Sequence, residues 1–253
     1  MIRAVALALL FATPALAQVA YDPALDSKRY DGCVRAIPTD AAKAEEFAIE
    51  WQGRGGGLPA RHCQALAQLH RGQNAAAALT LSKAAQAAET QKSPMAADFW
   101  GQAGNAALLA GDAKGAIAHF SSGILAAGEF APARTANLLI DRARAHTELK
   151  DLKSARADLD KATGLAPTDA TGWLLSATLA RRQDDLARAR TDIAKAAALA
   201  PDDADVQFEQ GAILATSGDI PGARKLWGQV VQQAPGSDAA TLAARALNEA
   251  PAQ

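Results

Sequence analysis

The chain has little of three things that many functional classes require. Of its 253 residues only two are cysteine and twelve are aromatic, and 26 basic residues are balanced by 27 acidic ones. Two cysteines are too few for a disulfide-rich scaffold or a cysteine-rich metal site. The formal net charge of −1 argues against nucleic acid as the main partner, because phosphate binding requires a basic surface.

Alanine, in contrast, is abundant. It occupies 66 positions, about a quarter of the chain. Alanine has the highest helix propensity, and its small side chain lets helices pack closely. An apolar fraction of 49% with 21% charged residues is typical of a globular protein and not of a disordered one. The composition therefore predicts an all-α protein.

Residues 1–17 are predicted to be a signal peptide. Arg3 precedes the apolar run 4–12, and a small-x-small cleavage sequence follows at Ala15-Leu16-Ala17. The run is shorter than the roughly 20 residues that a stable membrane span needs, and no other apolar run is longer. We therefore expect cleavage before Gln18 and a periplasmic or secreted protein without a membrane span.

Export changes the interpretation of Cys33 and Cys63. In an oxidising compartment we expect this pair to form a structural disulfide. Closing a loop of this length would stabilise the fold by about 3 kcal/mol in the chain-entropy model. Two free buried thiols and a redox pair are the alternatives, although neither cysteine belongs to a C-x-x-C motif.

A 34-residue period runs through the second half of the chain. Several independent columns of residues share this step, which chance does not readily produce even in an alanine-rich sequence. The columns are Asp151, Asp185 and Asp219; Ala155, Ala189 and Ala223; Leu159, Ile193 and Trp227; and Pro167, Pro201 and Pro235.

Each column has a physical role in a unit of helix, turn, helix and loop. The aspartates cap the second helix of the unit, and the alanines let that helix approach the first. The larger apolar column lies one turn further along the same buried face. The prolines end the second helix, and Thr168-Asp169 and Asp202-Asp203 then supply side-chain oxygens that cap the next unit. We expect Arg181, Arg182, Arg188 and Arg190 to lie on solvated helix faces.

The pattern resembles the tetratricopeptide repeat (TPR) family. With repeats that begin at 136, 170 and 204, the small residue at the family's eighth position and its closing proline are present in all three. The chain departs at the family's large aromatic position eleven, which is His146, Ala180 and Leu214 here. The resemblance implies a right-handed superhelical solenoid of antiparallel helix pairs.

The predicted organisation extends the array toward the N-terminus. Two looser repeats bring the count to about five, and the array begins after the Gly55-Gly56-Gly57 break. A degenerate N-terminal pair, with helices at about 23–37 and 39–52, would carry Cys33, and the disulfide would fasten it to the array. The predicted divisions are a signal peptide (1–17), an N-terminal helical cap (18–57), the TPR array (58–91, 97–130, 136–169, 170–203 and 204–237), and a C-terminal capping helix and tail (238–253).

No catalytic or metal-binding pattern accompanies these repeats in the sequence. His62 and His70 are two helical turns apart, too far to share a metal ion, and the Gly55-Gly56-Gly57 run lacks the Lys-Ser/Thr of a phosphate-binding loop. The paired aspartates at 184–185 and 202–203 fall at turns, where capping explains them. We therefore expect no enzyme activity, no metal and no cofactor.

The resemblance to TPR proteins implies a ligand site in the concave groove lined by the first helix of each repeat. The residues of this chain at groove positions that could bind a ligand are Asn105, Asn137, Arg144, Thr178 and Arg181. The Lys and Asn of the family's carboxylate clamp are replaced by Gly101 and Asp141. The alternative, to which we give equal weight, is that these polar residues are exposed to solvent and bind no ligand. The leading hypothesis is a scaffold that binds an unidentified envelope protein or peptide. The alternative is an assembly module that self-associates through its helical ends, around Leu242 and Leu247.

Overall fold

The computed structural model describes residues 23–249, so the predicted signal peptide lies outside the described residues. This range consists of twelve α-helices and contains no strand. The helices are α1 (Pro23–Gly53), α2 (Gly57–His70), α3 (Asn74–Thr90), α4 (Ala96–Leu109), α5 (Ala113–Ala127), α6 (Pro132–Glu148), α7 (Leu152–Leu165), α8 (Ala170–Arg182), α9 (Leu186–Leu199), α10 (Ala204–Thr216), α11 (Ile220–Gln233) and α12 (Asp238–Glu249).

The helices stack in chain order. Each packs against the next, and α4, α6, α8, α10 and α12 also contact one another in succession. Contacts therefore join near neighbours along the chain, as expected for a solenoid. The all-α repeat solenoid predicted from the 34-residue period is confirmed.

Within five helix pairs, a three-residue turn joins the two helices. The middle residue of each turn has a left-handed backbone, with φ from 60° to 90°; these residues are Gly72, Gly111, Lys150, Asp184 and Gly218. Glycine adopts this conformation at no steric cost, whereas Lys150 and Asp184 adopt it against the usual preference of residues with a Cβ.

Aspartate is the last residue of this turn in four of the five pairs and caps the second helix. The carboxylates of Asp112, Asp151, Asp185 and Asp219 each accept a hydrogen bond from the backbone N–H three residues later, at 2.8–3.1 Å. Asp169 and Asp203 cap α8 and α10 by accepting from backbone N–H groups two or three residues later. The predicted capping roles of these aspartates are confirmed.

The interior of the array follows the predicted columns. Ala155, Ala189 and Ala223 are completely buried, and Leu159, Ile193 and Trp227 pack one turn beyond them in the same cores. The fit is close enough that a Cβ added at Gly211 would collide with the Trp227 ring. Small residues thus stand where helices approach most closely.

A polar network joins α7, α8 and α9 across the repeat boundary. Buried Ser176 donates to Asp192 at 2.6 Å and accepts from Arg156 at 2.6 Å. Arg188 donates to Asp192 at 3.2 Å and also forms an ion pair with Asp160. Arg188 thus lies on a partly exposed helix face, and its guanidinium connects α9 to α7.

The first helix, α1, consists of two halves that meet at a kink. Asp40 has φ −153° and ψ 80°, outside the helical region, and its side chain accepts from Lys43 N at 3.1 Å, which caps the second half. The two expected helices, 23–37 and 39–52, correspond to these halves. Trp51 in the second half donates to Asp26 in the first at 3.2 Å, so the halves are tied together.

The last helix, α12, packs on α11 through Ala239, Ala240 and Ala243, which are buried. Leu242 on the same helix is 49% exposed. Over residues 23–249, no helix has both the length and the apolar character that crossing a bilayer requires.

Candidate functional site

The first helices of successive pairs form one surface, which we call the first-helix face and define as α4, α6, α8 and α10. All five candidate ligand-binding residues predicted from the sequence lie on these helices. Asn105 is on α4, Asn137 and Arg144 on α6, and Thr178 and Arg181 on α8. Four of the five residues line two cavities, and the fifth, Arg181, forms an ion pair.

The first cavity, here the Asn137 cavity, lies between α4 and α6 and has a volume of about 350 Å³. Asn105 and Asn137 both line it, together with Asp98, Arg134 and Asp141. Arg134 pairs with Asp98 at 2.8 Å, and Asn105 donates to Asp141 at 3.3 Å. Within residues 23–249 the Asn137 amide has no hydrogen-bond partner, so both its donor and its acceptor are available to a ligand.

The second cavity, here the Arg144 cavity, lies between α6 and α8 and has a volume of about 190 Å³. The polar groups at this cavity come from two arginines, two threonines and one glutamate, which are Arg144, Arg182, Thr147, Thr178 and Glu148. Its apolar part is formed by Leu159, Leu175 and Leu179. The arrangement combines an apolar surface with guanidinium groups, which are strong donors to carbonyl and carboxylate oxygens.

Asp141 connects the two cavities. It lines the Asn137 cavity, accepts from Asn105, and forms an ion pair with Arg144, which lines the neighbouring cavity. Thr178 is less available, because its hydroxyl already donates to the carbonyl of Leu174 at 3.0 Å. The structure thus brings Asn105, Asn137 and Arg144 into one continuous polar surface.

The matches with known proteins agree with this architecture. A family model described as "Tetratricopeptide repeat" matches residues 174–240. Residues 174–240 therefore belong to the tetratricopeptide repeat family. No curated protein sequence matches it.

Solved structures similar to this chain extend the agreement in fold to most of its length. PilW, a type IV pilus biogenesis factor, is 14% identical and aligns over 86% of this chain and 97% of its own, with a TM-score of 0.66. PilF of Pseudomonas aeruginosa is 12% identical over 86% of this chain and 97% of its own, with a TM-score of 0.62. YrrB, a TPR protein with an unusual peptide-binding site, is 17% identical over 78% and 96%, with a TM-score of 0.52. At these identities the likeness is one of fold.

Arg181 differs from the other candidate ligand-binding residues. Its guanidinium donates twice to Glu209 of α10, at 2.7 and 3.0 Å, and Glu209 is 4% exposed. Arg181 therefore joins two first helices. The sequence had led us to expect it on a solvated helix face, and it does not lie on one. Sequence reasoning missed Glu209 because the pairing spans 28 residues. Arg182 is exposed, as the sequence predicted, and it also lines the Arg144 cavity.

A third cavity, of about 350 Å³, lies where α1, α2 and α4 meet. His62 lies beside it, and its ring nitrogens are 2.7 Å from the Tyr30 hydroxyl and 2.8 Å from the Gln102 amide oxygen. Burial lowers the pKa of His62 and outweighs the opposing hydrogen bond to Gln102. Both nitrogens are occupied, and the described residues contain no cluster of three or more potential metal ligands.

A disulfide joins Cys33 of α1 to Cys63 of α2, with their Cα atoms 6.3 Å apart. The bond connects the N-terminal helical cap to the first helix of the array, which is the connection proposed for it. Neither cysteine is free in the structure.

Proposed function

We propose that this TPR protein is an exported, non-enzymatic scaffold that binds a protein or peptide on its first-helix face. In this proposal residues 1–17 are removed on export, 18–57 form the N-terminal helical cap, 58–237 are the repeat array, and 238–253 close it. The start of α2 at Gly57 and of α12 at Asp238 supports these divisions. The Cys33–Cys63 disulfide supports an oxidising compartment.

The observation that carries the binding proposal is the continuity of the two cavities through Asp141. Asn137 offers an unpaired amide beside one cavity, and Arg144 lines the next. An extended peptide that follows this surface could exchange backbone hydrogen bonds with both residues, because amide and guanidinium groups match the peptide donors and acceptors. YrrB, a TPR protein of similar fold, has a peptide-binding site, which supports a ligand of this class.

The test compares three forms of the protein as bait in envelope extracts. They are the wild type, the double variant Asn137→Ala/Arg144→Ala, and a control, Lys114→Ala/Arg190→Ala, which truncates two exposed side chains on the second helices α5 and α9. Bound proteins are identified by mass spectrometry, and each is then titrated as purified protein. We expect a partner that binds the wild type and the control alike, and that binds the double variant about tenfold or more weakly.

The same bound proteins at the same affinity with all three baits would contradict the proposal. Thermal melting of each form provides the folding control. Arg144 and Asn137 are on the surface, so we expect melting temperatures close to that of the wild type.

The alternative function is an assembly module that self-associates through its helical ends. Exposure of Leu242 on α12 favours this role, and Leu247 packs partly buried against the last core cluster. Light scattering at micromolar concentration separates the two functions. Self-association requires a mass above that of the monomer that returns to the monomer value in Leu242→Glu.

A further inference from the structure

The N-terminal end of the solenoid carries a large groove, which we call the end groove. It lies between the two halves of α1 and has a volume of about 790 Å³. Lys28, Arg29, Gly32 and Ala36 line it from the first half, and Lys43, Ala44 and Phe47 line it from the second. None of these residues belongs to the first-helix face, so the groove is separate from the proposed ligand surface.

The floor of the end groove is formed by small and apolar residues. A Cβ built on Gly32 meets no atom within 4 Å, and Phe47 is 41% exposed although it lies beside buried Ala44 and Ala48. Small residues let a neighbouring helix come close, since helices pack at about 8–10 Å depending on the side chains at the contact. The other end of the array is different, because Leu242 is the only large apolar residue that α12 exposes and its exposed neighbours are polar.

The rim of the end groove is basic. Lys28, Arg29 and Lys43 line it, and Asp40 is the only acidic residue among the lining side chains. Asp40 is paired with Lys43 at 2.9 Å, and Arg29 is paired with Asp26 at 3.1 Å. Lys28 is exposed and has no ion-pair partner within residues 23–249, so the rim retains positive charge.

We propose that the end groove binds an amphipathic α-helix of a partner protein, with an apolar face on the floor and acidic side chains toward Lys28, Arg29 and Lys43. The shape favours a helix, because the groove lies between two helical segments and continues the stacking of the solenoid by one element. The charge favours an acidic partner, because opposite charges at the rim of an interface increase the association rate and disfavour wrong partners.

The same observations disfavour two other occupants. A second copy packed groove to groove would bring two basic rims together. The α12 helix offers only one unpaired carboxylate, Asp238, since its Glu249 is paired with Arg245. A membrane surface would need protruding apolar side chains, whereas the apolar area here is the floor of a concave groove.

The test uses two labelled model helices of about 18 residues, roughly 27 Å long. Both have leucine and alanine along one face, and they differ only in having glutamate or lysine on the flanks. Fluorescence anisotropy is measured with the full chain after removal of the leader. We expect the glutamate-flanked helix to bind the wild type at least about tenfold more tightly than the lysine-flanked helix.

Two substitutions act on the groove, and each has a matched control. Gly32→Trp obstructs the floor, and Gly164→Trp places the same side chain at an exposed glycine of α7 that also has no atom near its Cβ. Lys28→Glu reverses a rim charge, and Lys114→Glu reverses an exposed charge on α5. We expect both groove variants to weaken binding of the glutamate-flanked helix about tenfold, and both controls to retain wild-type affinity.

Binding of neither helix, equal binding of both, or wild-type affinity in Gly32→Trp and Lys28→Glu would overturn the proposal. A dimer in light scattering that Gly32→Trp dissociates would overturn it in favour of a second copy as the occupant. Binding to phosphatidylglycerol vesicles that Gly32→Trp abolishes would overturn it in favour of a lipid surface. Asn137→Ala/Arg144→Ala must leave helix binding unchanged, which separates this test from that of the first-helix face.

Discussion

Single residues of this array divide into those whose role is visible in the period and those whose partner lies far away in sequence. Ala189 belongs to the first class, because its column repeats and its neighbours are local. Arg181 belongs to the second, because Glu209 comes from the next repeat. A periodic pattern predicts which face of a helix is buried, but it does not predict which charged side chains meet there.

Ala189→Leu tests the buried alanine column. Ala189 has no exposed surface, so the three added carbons must displace neighbouring helices, and we expect the free energy of unfolding to fall by roughly 1–3 kcal/mol. Urea denaturation measures the change. Ala187→Leu on the same helix is the control, because Ala187 is exposed and its substitution should change stability by less than about 0.5 kcal/mol. Equal effects of the two substitutions would contradict the packing role.

Arg181→Ala tests whether this arginine holds the array together. Its removal leaves the Glu209 carboxylate, 4% exposed, without its partner. We expect a loss of about 3 kcal/mol in the free energy of unfolding, near the lower end for a broken buried pair. The double variant Arg181→Met/Glu209→Met should recover most of this loss. If the single variant is as stable as the wild type, Arg181 is free to bind ligand and its structural role is wrong.

His62 makes stability depend on pH. Burial lowers its pKa in the folded state, whereas the unfolded chain protonates near the ordinary value of about 6.5. Below that pH the unfolded state therefore binds more protons, and the free energy of unfolding falls as the pH decreases. Urea midpoints at pH 7.5 and pH 5 measure the effect. His62→Gln should make the decrease smaller, while His119, whose pKa is also lowered by burial, preserves part of it.

At the scale of whole elements, the sequence predicted most of the helices because their caps and turns are local. Asp151 with Ser154, and Asp185 with Arg188, place helix starts within a single turn of chain. The end groove and the two cavities of the first-helix face could not be predicted in this way. They depend on how α1 folds back at Asp40 and on the spacing between helices of different repeats.

The disulfide between α1 and α2 is the element-scale prediction. Mass spectrometry of protein isolated from the periplasm, with alkylation before and after reduction, should find no free thiol before reduction. Cys33→Ala/Cys63→Ala should lower the free energy of unfolding by about 3 kcal/mol, because the open chain gains entropy in the unfolded state. Two alkylated cysteines in the unreduced protein would show that the bond is absent.

For the whole molecule, stability depends on interfaces between successive repeats. The network of Arg156, Ser176 and Asp192 crosses one such interface and is buried at Ser176. Ser176→Ala removes the central hydroxyl and leaves Asp192, 4% exposed, with one hydrogen bond fewer. We expect a loss of about 1–3 kcal/mol in urea denaturation. Ser122→Ala, at a more exposed hydroxyl of α5, is the control and should have little effect.

The disulfide closes a loop of the first two helices and leaves the opposite end of the array without any covalent restraint. Because each helix contacts only its near neighbours, opening can begin at one end without disturbing the other. Amide hydrogen exchange should therefore be polarised along the solenoid, fastest in α12 and progressively slower toward α2. Reduction of Cys33–Cys63 should speed exchange in α1 and α2 while α10 to α12 keep their rates, which makes exchange a regional readout of redox state.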